Sequence, residues 1–158
     1  MTKSSIFDMI GPVMIGPSSS HTAGVVRIGR VGVQLLGDIP DEAEITFYNS
    51  FAKTYEGHGS DRAIIAGLLD FHTDDIRIRT SFDEAKGKLK YSFKTVGNAS
   101  TKHPNTVALK LKKGDKQVTM QGESLGGGVI QISKFNDFNA SFSAGLHTLI
   151  ITADDTPG

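Results

Sequence analysis

The hydrophobic period of this chain changes once, near Gly87, and that change restricts the folds open to it. Before Gly87 most apolar residues recur at helical spacing; after it they alternate. Residues 22–36 set Val25, Val26, Ile28, Val31, Val33, Leu35 and Leu36 apart from Arg27, Arg30 and Gln34. That stripe predicts an amphipathic helix with Gly37 as its C-terminal cap. Gly24, Gly29 and Gly32 lie inside it, and each weakens a helix by up to ~1 kcal/mol relative to alanine. Such glycines are tolerated where a second backbone packs close, so this helix is expected to be buried. A second helix is predicted in "SDRAIIAGLLDF", starting at Gly59 or Ser60 and burying Ile64, Ile65, Leu68 and Leu69. Between the two helices, "AEITFYNS" (43–50) alternates and reads as a strand. Ser4 or Ser5 is placed to cap a short helix through Ile10, ended by Gly11-Pro12. Residues 73–87 are polar and show no clear period.

Beyond Gly87, "KLKYSFKTV" puts Leu89, Tyr91 and Phe93 on one face and lysines on the other. Two strands are predicted around a turn at Lys113-Gly114-Asp115, with Val107, Leu109 and Leu111 facing inward. "GGGVIQISKF" adds another strand, and "GLHTLIITADD" a last one. Helices early and antiparallel-looking strands late give an α+β fold, a mainly antiparallel sheet with helices packed on one face.

A chain of 158 residues carries one domain with a substantial core. Seventeen basic and seventeen acidic side chains cancel, which argues against a nucleic-acid or anionic-membrane partner. There is no cysteine, so disulfides, thiolate metal sites and a cysteine nucleophile are excluded. Asp8 and Gly11-Pro12 interrupt the N-terminal apolar run, so residues 1–17 are read as part of the fold rather than as a secretory leader. No run reaches the ~18 apolar residues that span a bilayer, and a soluble, cytoplasmic protein is expected.

Two short segments carry the chemistry. In "GPSSSHT", Ser18, Ser19, Ser20 and Thr22 surround His21 just ahead of the first helix. One helix cap needs one hydroxyl, whereas this run offers four and an imidazole, beside the amide-rich positive end that suits an anion. In "GHGSD", His58 sits between glycines before the second helix, followed by Ser60 and Asp61. The plain alternatives are a helix cap and a turn histidine with a first-turn acid. Two histidines at two helix entrances fit acid–base chemistry on a small amino or hydroxy acid. "KHPNT" places His103 and Asn105 at a strand start, with an ordinary loop as the simpler reading. His72 carries no signal, and His147 is expected to be a half-exposed sheet residue. "GESLGGG" lacks the lysine and the following helix of a phosphate loop, so its glycines mark a bulge or a close approach.

Taken in this order, "SIFDMIGPVMIGPSSSHTAG", "FYNSFAKTYEGHGSDRAI", "HPNT" and "SLGGG" resemble the β chain of bacterial iron–sulfur-dependent L-serine dehydratases, over nearly the whole chain from Ser5. Ser60 stands where that pattern usually has threonine, and Asn49 where glycine is common. The resemblance implies deamination of L-serine to pyruvate and ammonia, a reaction of amino-acid degradation that can feed gluconeogenesis. It implies a 4Fe-4S cluster acting as Lewis acid on the substrate hydroxyl. A cysteine-free chain leaves that cluster to a partner α chain, so the active site lies at an interface, in a homo-oligomer of heterodimers. On this resemblance His58 is the α-proton base and His21 the second catalytic histidine. Ser18, Ser19, Ser20, Thr22, Ser60, Asp61, His103 and Asn105 are the substrate-binding set, and no residue binds metal. The fold it implies is similar to the allosteric substrate-binding domain of some phosphoglycerate dehydrogenases.

The same resemblance divides the chain into a dehydratase β-chain domain (1–145) and the first strand of an ACT domain (146–158), which stops where the ACT helix would follow. Residues after about Thr148 are then expected to dangle, pair with another copy or lie on the sheet. A second reading is a non-catalytic regulatory domain that binds serine or another small carboxylate; two histidines at helix entrances favour the enzyme component.

Overall fold

Helix α1 (Gly24–Leu36) is the element on which the two halves of the fold meet. In the computed structural model, which describes residues 11–151 and 153, it packs one face on helix α3 (Ser60–Leu68) and another on the sheet. Its apolar stripe is buried as the spacing predicts, and Gly37 ends it in the left-handed conformation, its N–H bonded to the Val33 carbonyl. The internal glycines have the expected use. A Cβ on Gly29 would lie 3.0 Å from Gly67 of α3 (Ser60–Leu68), and one on Gly67 would lie 2.3 Å from the Val26 carbonyl oxygen. The two helices therefore cross backbone against backbone.

The sheet has six strands in the order β2-β1-β3-β4-β5-β6. They are β1 (Glu42–Tyr48), β2 (Lys90–Val96), β3 (Thr106–Lys113), β4 (Lys116–Gly126), β5 (Val129–Phe135) and β6 (Phe138–Phe142). Alternation sends Ala43, Ile45 and Phe47 of β1, and Val107, Leu109 and Leu111 of β3, into the core beneath the helices. The opposite face is polar, with Glu44 paired to Lys94 at 2.6 Å. The hairpin turn at Gly114-Asp115 falls where the sequence places it. The triple glycine turns β4 into β5 beside a register shift at Ser124–Gly126, as a bulge-or-close-approach reading requires. Among the described residues no helix is long and apolar enough to cross a membrane.

Several expectations need correction. The sheet is mainly antiparallel as expected but mixed, because β2 runs parallel to β1 while the other four pairs are antiparallel. A parallel pair needs a long crossover, and here it contains α2 (Asn49–Thr54), α3, a 3-10 turn (Ile76–Thr80) and α4 (Ser81–Ala85). Alternation in "AEITFYNS" stops at Tyr48, where Asn49 takes a left-handed φ of 51° and starts α2. That conformation accounts for glycine being common at this position. The last strand is β6, made by a two-residue turn at Asn136-Asp137 with Asn136 also left-handed. Residues 143–151 form no strand; Leu146, Leu149 and Ile151 are exposed there, and His147 is an exposed residue outside the sheet. The helix expected over residues 4–10 lies outside the described residues.

Gly67→Ala is expected to destabilise the fold by about 1–3 kcal/mol through overpacking, read in urea unfolding. Gly97 has open space around it, so Gly97→Ala should stay within about 0.5 kcal/mol. Equal effects at the two positions would contradict the helix crossing described.

Candidate functional site

The serine-rich entrance is not a plain helix start. Ser18 is extended (φ −145°, ψ 127°) and its hydroxyl accepts the His21 N–H at 3.1 Å, the N-cap role. Ser19–Ala23 then form a single π-helical turn before α1, an insertion common at functional sites. One of the remaining hydroxyls, that of Ser20, meets the imidazole. Ser20 Oγ lies 3.2 Å from His21 Nδ1, with Ser18 Oγ at 3.5 Å. Ser19 Oγ makes no hydrogen bond among the described residues.

His58 arrives from the other entrance. Gly59, left-handed at φ 69°, turns the chain from the His58 loop into α3. The His58 and His21 rings sit 4.9 Å apart and tilted by 39°, so the structure brings the two predicted histidines together. His21 also meets Phe51 of α2 edge-on at 4.9 Å. His58 Nδ1 lies 3.3 Å from the Thr54 carbonyl. A carbonyl only accepts, so Nδ1 carries the proton and Nε2 holds the free lone pair on an exposed ring.

Two hydroxyls pin the entrances to one another. Thr22 Oγ1 donates to the His58 carbonyl at 3.3 Å, and Ser60 Oγ donates to the His21 carbonyl at 2.8 Å. Both residues are buried. Each loop thus fixes the backbone of the other loop's histidine, and Thr22 and Ser60 act within the framework instead of facing a ligand.

Burial pushes the His21 imidazole below its ordinary pKa of 6.5, and the neighbouring His58 adds to that. Its Nε2 is buried without a hydrogen-bond partner, as is Ser124 Oγ. Ser124, at the end of β4, approaches the first turn of α1 so closely that a Cβ on Gly24 would lie 2.2 Å from its hydroxyl. Burial raises the Asp61 carboxyl; its Oδ1 accepts the Arg62 N–H at 2.7 Å, and no hydrogen bond joins it to either histidine.

The "HPNT" loop belongs to the wall behind the pair. His103 Nδ1 accepts the Asn105 N–H at 3.2 Å. The Pro104 carbonyl accepts the Ser50 N–H, next to Phe51, and the Asn105 carbonyl accepts the Ser124 N–H. No hydrogen bond links His103 or Asn105 to the imidazoles. Phe51, Thr54 and Ser124 escape the sequence reading; the break in alternation after Tyr48 is the signal that would have exposed the first two. The chain has no cysteine, and no group of three or more His, Asp or Glu among the described residues could hold a metal ion. These residues do not fit an iron–sulfur cluster.

Two outcomes are expected. As pH falls the unfolded chain binds a proton before folded His21 does, so stability is full above about 6.5 and declines below it. An NMR titration should place the His21 midpoint below 6.5, and His58→Ala should raise it while burial keeps it low. A midpoint at or above the ordinary value would contradict the burial. Ser60→Ala strands the His21 carbonyl and should cost about 1–3 kcal/mol in denaturant unfolding.

Comparison with known proteins identifies the family of the chain. Residues 5–134 match the family model described as "Serine dehydratase beta chain". The chain is 47% identical over 156 residues to the "Probable L-serine dehydratase, beta chain" of Bacillus subtilis (strain 168), covering 98% of this chain and 70% of that one. It is 37% identical over 161 residues to the "L-serine dehydratase, beta chain" of Peptoniphilus asaccharolyticus, covering 100% and 72%. A shorter match, 39% over 72 residues, joins it to "L-serine dehydratase 1" of Escherichia coli (strain K12), covering 40% of this chain and 15% of that one. The chain belongs to the serine dehydratase beta chain family.

Proposed function

We propose that this chain supplies the base side of an L-serine dehydratase active site, completed at an interface by a partner α chain. The observation that carries the reading is the imidazole pair: two rings 4.9 Å apart, one with its lone pair fixed outward and the other held neutral by burial. The names of the relatives, dehydratase β chains, supply the reaction.

In this reading His58 Nε2 takes the α-proton of L-serine. His58 becomes a cation as it does so, and a protonated His21 beside it would oppose that charge. The lowered pKa of His21 removes the opposition near neutral pH. The Ser18–Ser20 segment, the cap and first residues of the π-helical turn, is where the substrate carboxylate docks, with Asp61, His103 and Asn105 at the rim. Loss of the α-proton and of the β-hydroxyl, together one water, gives aminoacrylate, which hydrolyses to pyruvate and ammonia. The iron–sulfur cluster that the resemblance implies has no ligands on this chain, so it belongs to the α chain. A cytoplasmic homo-oligomer of heterodimers and an ACT domain beginning near residue 146 complete the proposal.

Reconstitution with the α chain tests it. His58→Ala should lower turnover of L-serine by about 10²–10⁴-fold, the usual worth of a general base, while the variant still assembles with its partner. Wild-type turnover in the assembled variant would remove His58 from the role of base.

A further inference from the structure

A second recess lies beside the imidazole pair, and neither histidine ring lines it. It has a volume of about 480 Å³, with Gly16, Pro17, Thr22, Gly59, Arg62 and Arg79 in its wall. The roof is fastened. The Ile15 N–H donates to the Thr73 carbonyl at 2.8 Å, and the Thr73 hydroxyl donates back to the Val13 carbonyl at 2.9 Å. The loop carrying Gly16 and Pro17 is thereby tied to the segment that leads into the 3-10 turn bearing Arg79.

Two arginines line this recess and no acidic residue does; the Arg62 guanidinium lies over the Phe82 ring, 5.9 Å from its centroid, a contact that leaves its N–H donors available. Arg30 and Arg77 have carboxylate partners in Asp70 and Asp75; Arg62 and Arg79 have none among the described residues. The acids nearest Arg62 are committed elsewhere, Asp61 to the Arg62 amide and Asp83 to Lys86 at 2.7 Å. The first amides of α3 are also taken. Ser60 N–H and Asp61 N–H donate to the Tyr55 carbonyl, and Arg62 N–H to Asp61. The charged donors of the recess that lack a carboxylate partner among the described residues are therefore the two planar forks, which match the paired oxygens of a carboxylate or phosphate. We propose that this recess binds a small oxyanion through Arg62 and Arg79, at a site separate from the imidazole pair and independent of the dehydratase reading.

The test is NMR titration of the full chain with inorganic phosphate and, separately, malonate, at constant ionic strength. Saturable shifts at the Gly16 and Gly59 amides are expected for at least one anion, and the tighter of the two distinguishes a phosphate from a carboxylate ligand. Arg62→Gln and Arg79→Gln should each weaken binding about tenfold or more, and the double variant should abolish it. Both side chains are exposed, so the variants keep the fold, checked by an unchanged melting curve. Lys86→Gln should bind as wild type. Non-saturating shifts, binding retained in the double variant, or equal weakening by Lys86→Gln would each overturn the proposal.

Discussion

The reciprocal pair of hydroxyl-to-carbonyl bonds, Thr22 to His58 and Ser60 to His21, is the constraint on which the site depends. The two histidines are 37 positions apart in sequence and belong to different helix entrances. Holding imidazoles by their side chains alone would leave two χ angles free at each residue. Bonding each histidine's own carbonyl from the opposite loop instead fixes both backbones with donors that are themselves buried. The crossing of α1 and α3 at Gly29 and Gly67 makes those bonds possible. Side chains at either position would spread the helices and carry the two entrances apart.

That dependence explains which parts were legible in sequence. The helices, the inward sets of β1 and β3, and the turn at Gly114 follow from period and punctuation, both local properties. The pairing of His21 with His58 was readable as two similar helix entrances, but their convergence is a tertiary fact. The glycines inside α1 hinted at it, since they only make sense against another backbone. What spacing could not show is the division of labour among hydroxyls. Ser18, Ser19, Ser20, Thr22 and Ser60 look equivalent in sequence. In the fold Ser18 caps, Ser20 faces an imidazole nitrogen, and Thr22 and Ser60 brace. The β2 pairing escaped because an edge strand with one buried neighbour alternates alike in parallel and antiparallel sheets. Similarly, β6 was missed because its mostly exposed residues present no inward stripe.

The electrostatic asymmetry of the two rings follows from the same geometry. His21 is packed against Phe51 with Nε2 sealed off, whereas His58 is exposed and its Nδ1 is bonded to a backbone carbonyl. Two identical side chains thereby receive different surroundings, and burial lowers the proton affinity of His21, the kind of arrangement that separates roles in acid–base sites. A buried imidazole nitrogen without a partner costs about 1–3 kcal/mol. The depressed pKa of His21 expresses a related penalty, since protonation would add a charge to a ring that the fold has already desolvated.

Under the proposed function, an exposed base on one side and a sealed ring on the other form one half of a reaction centre. His58 is exposed and its Nδ1 is engaged by the Thr54 carbonyl, so under the proposed function the reacting carbon approaches the solvent side of the pair at Nε2. The walls behind it, the "HPNT" loop and the end of β4, are joined through Ser50, Asn105 and Ser124 by backbone hydrogen bonds. Backbone bonds hold those walls whatever substrate is present, and that preorganisation is what a proton transfer needs. In the proposed reaction the leaving hydroxyl requires an electrophile, and no group of three or more His, Asp or Glu among the described residues could hold a metal ion to serve as one. Under the proposed function this chain's part is proton removal, and departure of the hydroxyl falls to groups on the partner chain.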